Sequence, residues 1–364
     1  MASAFTSYSH QRYANRRRRS RILGPSAMEE PEKALDMEGN QVLVSIVVPT
    51  CNRPDLLNRC LEALMSQRFD TACYEIIVVD DGPNLDTRFT VSRWTARALG
   101  RGPIVGYVAT NGTHGPAAAR NVGWRAARGE IIAFTDDDTI PDCDWLRNGV
   151  RAFIGKAHAA WGRIIMPMPA RPTDFQLDAK GLERAEFATA NCFCLRRVLE
   201  TVNGFDERFH MPWREDADLY FRLLHYDAHV VYIPDAVVVH PVRKAPWGVS
   251  VLQQKKVFFD ALLFKKHPAL YREKIRRSPR WDYYAIVAFL LVFLAGLALH
   301  WPIVSIAAAT SWLFLTGRFC FKRLRHTSRS PFHVVEMIVT SAIIPPLSVF
   351  WRCAGAIRFR VRFV

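Results

Sequence analysis

The stretch Glu130-Ile131-Ile132-Ala133-Phe134-Thr135-Asp136-Asp137-Asp138-Thr139-Ile140-Pro141-Asp142 decides the fold. Its four apolar residues, Ile131 to Phe134, predict a short strand buried on both faces. Three consecutive carboxylates follow at once, and neighbouring negative charges repel unless something positive sits among them. In an open parallel sheet, ligands bind beyond the carboxyl ends of the strands. A divalent cation held by hard oxygen donors would relieve the repulsion there. On these residues alone, an acidic turn in solvent, with Asp as the turn former, is the alternative.

Working outward, the same apolar signal recurs upstream. Val42 to Val48 is a β-branched run that predicts a buried strand, and Ile76 to Val79 predicts a second one, stopped by Asp80-Asp81-Gly82-Pro83. Between them, Leu56, Leu57, Cys60, Leu61, Leu64 and Met65 recur at helical spacing, with Pro54 suited to a first turn. A helix is expected over 86–98, a strand over Ile104 to Ala109 and an Ala-rich helix over Gly115 to Ala127. Strand and helix alternate four times through short links. That pattern predicts a doubly wound, mostly parallel α/β sheet with right-handed crossovers. Downstream, a helix is expected over Asp144 to Phe153 and a strand over Ala159 to Ile165. The proline-containing segment 166–186 reads as a surface loop. Thr189 to Leu195 reads as a strand and Glu215 to Tyr226 as a helix. Two short strands, His229 to Ile233 and Ala236 to His240, complete the set.

The chain has 364 residues and a formal charge of +15. The excess is concentrated in the first 21 residues, which include Arg16 to Arg19 and Arg21, and beyond Lys255. Residues 1–40 are polar and basic without apolar periodicity and read as a disordered tail. Basic segments beside apolar ones suit an anionic membrane surface. Nucleic acid is the rival partner for a basic chain, but no aromatic-interleaved basic motif occurs, and none is expected to bind. The eight cysteines show neither Cys-x-x-Cys nor framework spacing and read as free thiols. No secretory signal is visible at the N-terminus.

The C-terminal third changes solvent. Tyr283 to Leu299 and Trp301 to Gly317 carry no charge and flank the break at His300-Trp301-Pro302. Together they are long enough for two spans. Arg-rich flanks on both sides predict a hairpin over 282–317, with both ends and the catalytic part in the cytoplasm. A basic and amphipathic segment is expected over 246–281 and a basic loop over 318–331. The last segment, 332–364, is apolar but broken by Glu336 and Pro345-Pro346. If it spanned, Arg358, Arg360 and Arg362 would lie outside, against the positive-inside rule. A re-entrant or interfacial segment keeps them inside, and the reading leans that way.

Several motifs resemble, in order and spacing, family 2 glycosyltransferases of the GT-A fold. They are Val44-Ser45-Ile46-Val47-Val48-Pro49-Thr50-Cys51-Asn52-Arg53, Glu75 to Gly82, Gly115-Pro116-Ala117-Ala118-Ala119-Arg120-Asn121, the aspartates of the opening stretch, Gly204-Phe205-Asp206-Glu207 and Arg214-Glu215-Asp216-Ala217-Asp218. The resemblance covers 42 to about 240, so a catalytic domain is set at 41–245. It implies a multi-pass plasma or inner-membrane enzyme that moves a single sugar, with inversion, from a nucleoside diphosphate sugar to a lipid-linked or glycan acceptor in envelope or exopolysaccharide assembly.

The resemblance also assigns roles. Pro49, Thr50, Asn52, Arg53, Asp80, Asp81, Arg120, Asp136 and Asp137 would line the nucleotide-sugar site, with Asp137 turned aside. Arg120 suits a diphosphate through bidentate bonds. Asp138, with Asp136, would hold Mg²⁺ or Mn²⁺, and His240 is a third candidate ligand. Asp216, or alternatively Glu215, would take the proton from the acceptor hydroxyl. Asp218 is expected on the helix surface or behind the site. Gln253-Gln254-Lys255-Lys256-Val257 stands where processive polysaccharide synthases carry Gln-x-x-Arg-Trp, and that departure favours single addition. A non-catalytic membrane scaffold and a processive synthase are the rival readings.

Overall fold

The computed structural model describes residues 42–363; the expected basic tail over 1–40 lies outside them. In chain order the first half comprises β1 (Val44–Thr50), α1 (Pro54–Met65), β2 (Tyr74–Asp80), α2 (Leu85–Ala98), β3 (Ile104–Ala109), α3 (Pro116–Ala126) and β4 (Ile131–Phe134). Every residue of β1, β2 and β4 is buried, which is why these strands read as unbroken apolar runs rather than alternating ones. They pair in parallel with β3 on one side.

Next come β5 (Ile140–Pro141), α4 (Trp145–Ile154), β6 (Ala159–Ile165), α5 (Asp174–Ala179), β7 (Cys192–Leu195), α6 (Arg196–Thr201), α7 (Glu215–His225) and β8 (Val230–Val239). One eight-stranded sheet results, in the order β3-β2-β1-β4-β7-β6-β8-β5. The strands β7 and β5 run against the rest. Chain order runs outward from β1 to β3 and then returns to place β4 on the other side of β1. That reversal opens a crevice beyond the carboxyl ends of β1 and β4.

Three sequence expectations are corrected locally. The two short strands near 229–240 are one strand, β8. Its register against β6 jumps between Gly162 and Arg163, from Ile233 to Val237; Pro234, which has no N–H to donate, lies in the skipped segment. The 166–186 segment is not simply a loop. Thr173 and Gln176 form a reciprocal capping box that starts α5. Of the two places expected for Asp218, the helix surface is ruled out: it is fully buried, between Arg222 (2.8 Å) and Lys266 and His267.

The helix α3 sits close against the sheet because Gly123 has no side chain. A Cβ there would come within 2.3 Å of Val47 Cγ1 and 2.9 Å of Val79 Cγ2. Two turns of this helix also organise a distant motif. Asn121 accepts from the Phe205 amide (2.8 Å) and donates to the Phe205 carbonyl (2.9 Å) and to Glu207 (2.8 Å). Gly204, at φ +59°, turns the chain beneath it.

Beyond β8, α8 (Phe258–Lys266) leads into three long apolar helices, α9 (Trp281–Ala298), α10 (Pro302–Leu324) and α11 (Pro331–Arg358). Each is long and apolar enough to cross a membrane. The helices α9 and α10 form the expected antiparallel pair, with Gly296 packed on Ser305 near the connection. The last of the three, α11, is continuous through Pro345 and Pro346, so it does not turn back on itself. Asp260 on α8 ties the parts together. It accepts from Arg214 Nε (2.7 Å) and Trp213 Nε1 (3.0 Å) and lies 3.5 Å from Arg352 on α11.

Gly123→Ala should cost about 1–3 kcal/mol, because the interior there leaves no room for a methyl group. Gly181→Ala, where an added Cβ meets nothing within 4 Å, should change stability by no more than about 0.5 kcal/mol. Thermal melts of the two full-length variants, compared with the parent, check the contrast.

Candidate active site

The site assembles at the crevice. Thr135 and Thr139, whose hydroxyls are 2.7 Å apart, close a tight turn after β4. Thr135 donates to the Ala190 carbonyl (3.0 Å) and Thr139 to the Asp136 carbonyl (2.7 Å). This turn fans the three carboxylates in three directions. Asp136 points towards α3, where Arg120 Nη2 meets it at 2.7 Å. Asp137 points towards β1, where it accepts from the Thr50 hydroxyl at 2.7 Å and pairs with Arg53 at 3.0 Å. Asp138 points towards the end of β8. There Arg243 Nε lies at 2.9 Å and His240 Nε2 at 3.5 Å. The bond from the His240 amide to the Ile165 carbonyl, 2.8 Å, fixes that histidine at the strand end.

Arg120 is the centre of charge. It is buried, and its second nitrogen, Nη1, lies 3.2 Å from Glu215 at the start of α7. One guanidinium therefore joins the carboxylate after β4 to the carboxylate pair at the α7 N-terminus. Burial alone would raise the Asp136 carboxyl, but Arg120, His240 and Arg53 together hold it below its usual range. Burial raises the Glu215 carboxyl, and the charge of Asp216 adds to that, against Arg120. Burial raises Asp216 as well, opposed by the Ala217 amide and Arg214. Burial also pushes Asp137 up to about 7, against the pull of Arg53 and Thr50.

Asp136, Asp138 and His240 each offer a donor atom within 4.8 Å of the others. Two carboxylates and an imidazole form a donor set that suits Mg²⁺ or Mn²⁺. A buried atom there supports the fit: His240 Nδ1 has no hydrogen-bond partner, while Asp138 Oδ2 pairs with Arg243. Asp137 is not part of that set, because its oxygens serve Thr50 and Arg53.

The other expected residues fall into two groups. Asn52, exposed and at φ +55°, accepts from the Asn84 side chain (2.9 Å), beside half-buried Arg53. Pro49 is buried within β1. Asp80 is fully buried and accepts from the Gly82 amide (3.2 Å), the Asn84 amide (3.4 Å) and the Tyr107 hydroxyl (3.0 Å). Asp81 accepts from the Gly115 amide at 2.8 Å and so fixes the entry to α3. These two carboxylates shape the turn that borders the crevice.

Sequence reading passed over two cations. Arg243 follows His240 by three residues and reaches Asp138. Lys256 lies in the field of Glu215, and burial lowers its ammonium group against that attraction. The visible signal for Lys256 was its place in Gln253-Gln254-Lys255-Lys256, which had been weighed only as a departure from a synthase motif.

The chain is similar to known proteins over the part that carries this site. Residues 45–209 match the family described as Glycosyl transferase family 2. Among curated proteins, the chain is 27% identical over 224 residues to Glycosyltransferase AglE of Haloferax volcanii, covering 59% of this chain and 71% of that one. It is 32% identical over 278 residues to Validoxylamine A glucosyltransferase of Streptomyces hygroscopicus, covering 64% and 62% respectively. Against Pre-mycofactocin glycosyltransferase of Mycobacterium tuberculosis it is 27% identical over 219 residues and spans 43% of that protein's length. The solved mannosyltransferase PcManGT from Pyrobaculum calidifontis, in complex with GDP-Man and Mn²⁺, shares the fold at a TM-score of 0.55 and 20% identity, over 85% of this chain and 88% of that one.

Manganese should raise the melting temperature of the parent protein, since binding to the native state alone stabilises by about 2.7 kcal/mol at a hundredfold excess over Kd. Asp138→Asn and His240→Ala should show a much smaller rise. Equal rises in all three proteins would remove the cation from this triad.

Proposed function

We propose that this chain, which is a family 2 glycosyltransferase, transfers one sugar with inversion from a nucleoside diphosphate sugar to a membrane-associated acceptor. The observation that carries the reading is the bridge through Arg120, which sets Asp136 and Glu215 on one guanidinium. Donor and acceptor chemistry thereby share one buried charge. Asp136, Asp138 and His240 would hold the divalent cation, which when bound offers a Lewis acid to the departing diphosphate. Arg53 and Arg243, on either side of Asp138, add positive charge where negative charge develops on the leaving group.

Two adjacent carboxylates compete for the role of base. Glu215 is committed to Arg120. Asp216 is half-buried, and one of its oxygens accepts from the Ala217 amide at 2.6 Å. We assign Asp216 as the group that removes the acceptor hydroxyl proton while that oxygen attacks the anomeric carbon. Its raised pKa gives the carboxylate more basicity than an exposed aspartate has. Glu215 holds Arg120, and through it Asp136, in position. Single addition fits Lys256 and Val257 in place of the synthase Arg and Trp. The three apolar helices and the basic flanks favour a lipid-linked acceptor of the kind used in envelope or exopolysaccharide assembly, met at the cytoplasmic face of a plasma or inner membrane.

Asp216→Asn should lower kcat for sugar transfer by roughly 10²–10⁴-fold while leaving the Kd for the nucleoside diphosphate unchanged. Membranes supplied with labelled nucleotide sugars should yield lipid-extractable label. Undiminished turnover by Asp216→Asn would exclude it as the base, and label confined to water-soluble product would exclude the lipid-linked acceptor.

A further inference from the structure

The three apolar helices make different contacts. The hairpin helices hold each other from Tyr283 against Phe319 (5.2 Å between ring centroids) to Gly296 against Ser305. Where α11 meets the hairpin, it meets the end next to the catalytic domain. Arg323, one turn beyond Phe319, donates to Thr340 (2.7 Å) and Ser341 (3.0 Å). Tyr284, one residue after Tyr283, lies in the field of Arg352.

Meanwhile α11 touches the catalytic part near its start and, near its end, α8, which packs into the same core. Near its start, His333 faces the Asp174 amide at 3.4 Å and Glu336 accepts from the Gly248 amide at 2.7 Å. Near its end, Arg352 pairs with Asp260, and the backbone at Gly355 lies so close to the Phe258 carbonyl that a Cβ would meet it at 2.4 Å. From His333 to Gly355 the helix advances about 33 Å at 1.5 Å per residue. That exceeds the roughly 30 Å hydrocarbon core of a bilayer. A helix standing across the membrane would carry one of these ends to the far side, away from the domain that both ends touch.

The two faces of α11 agree. Its polar side chains, His333, Thr340, Ser341, Ser348 and Arg352, are buried against protein. The opposite face exposes Phe332, Val335, Val339, Ile343, Phe350 and Ile357, spaced by three, four or seven residues, which is one helical stripe. The whole helix is long enough to cross a bilayer, but between Glu336 and Arg352 its uncharged run advances only about 24 Å, less than the hydrocarbon core.

We propose that α11 lies in the plane of the membrane interface beneath the catalytic domain, with this stripe in the headgroup–acyl boundary of a lipid bilayer. The chain then crosses the membrane twice, through α9 and α10. Arg358, Arg360 and Arg362 stay on the catalytic side, where anionic headgroups attract them. The platform also places the segment carrying Lys255 and Lys256, which packs on Trp351 through Lys255, between the lipid and Glu215.

The test uses the full chain in nanodiscs containing anionic lipid. Single spin labels are introduced through Val335→Cys, Ile343→Cys and Phe350→Cys after the exposed Cys51 and Cys353 are changed to Ser. All three labels should report the same shallow depth by oxygen and nickel-chelate accessibility. A label at 343 deeper than that at 335 by about 12 Å, the rise of eight residues, would overturn the proposal in favour of a span. Labels shielded from lipid and broadened by one another would overturn it in favour of a second copy of the chain on this face. Independently of any variant, a cleavable tag after Val364 should be cut from the same side of the membrane as the catalytic domain; cutting only from the opposite side would also overturn it.

Discussion

Three adjacent carboxylates at the end of a buried strand set the terms for the rest of the domain. Close to one another and shielded from water, Asp136, Asp137 and Asp138 would repel strongly. The fold answers by turning each towards a different positive group: Arg120 from α3, Arg53 after β1, and Arg243 and His240 after β8. Those partners come from two crossovers and from the segment after the last strand, so the charges can be balanced only when the sheet order is complete. The same separation gives each carboxylate its own task. One shares a guanidinium with α7, one pins the β1 turn, and one faces the imidazole at the far strand end.

The parts of this arrangement that depend on chain-local physics were legible before any coordinates. Runs such as Ile131 to Phe134 and Ile76 to Val79 mark strands buried on both faces, and the alternation with helices gives the sheet. The aspartate pair and His240 were also nameable, because strand ends are where such a sheet binds ligands. Long-range pairing was not legible. Nothing local to Arg120 says that Glu215, 95 residues on, shares its charge. The part that Asp80 and Asp81 play in their own turn was not legible, because a carboxylate after a strand reads the same whether it faces a ligand or caps that turn. Asp218 could not be placed between the helix surface and the region behind the site, because the Lys266 and His267 that bury it lie beyond β8. Pro345-Pro346 suggested a break, but proline is tolerated in a helix where neighbouring helices and Ser or Thr side chains satisfy the freed backbone groups.

Part of the motif set quoted from the sequence acts, in this structure, as scaffolding. Gly204-Phe205-Asp206-Glu207 supports the crevice from beneath: the Phe205 ring lies 5.8 Å from the Arg120 guanidinium and packs on Phe134. Asn121 grips its backbone, and Asp206 pairs with Arg208 (2.6 Å) and Lys266 (2.6 Å), which holds it well below the usual carboxylate range despite its burial. Its contribution is to brace the approach to Arg214, Glu215 and Asp216. Arg214 itself adopts φ +77° immediately before α7, the helix that carries Asp216. A residue with a side chain is costly in that conformation, and the buried Asp260, with Trp213 and Arg352 around it, is what keeps it there.

That triad gives the boundary between the two halves of the chain an unusual character. Arg352 belongs to an apolar helix, Asp260 to the connector and Arg214 to the turn before the base, yet they share one buried negative charge. Residues 40–364 accordingly form a single compact unit with no seam at the first apolar helix. The catalytic portion is therefore not a portable cassette. Severing the chain before Trp281 would take one cation from Asp260 and open its flank to water, loosening the left-handed turn that aims Asp216. With α11 on the lipid surface as proposed above, bilayer composition and tension would have a mechanical route to Asp216 that runs through two salt bridges.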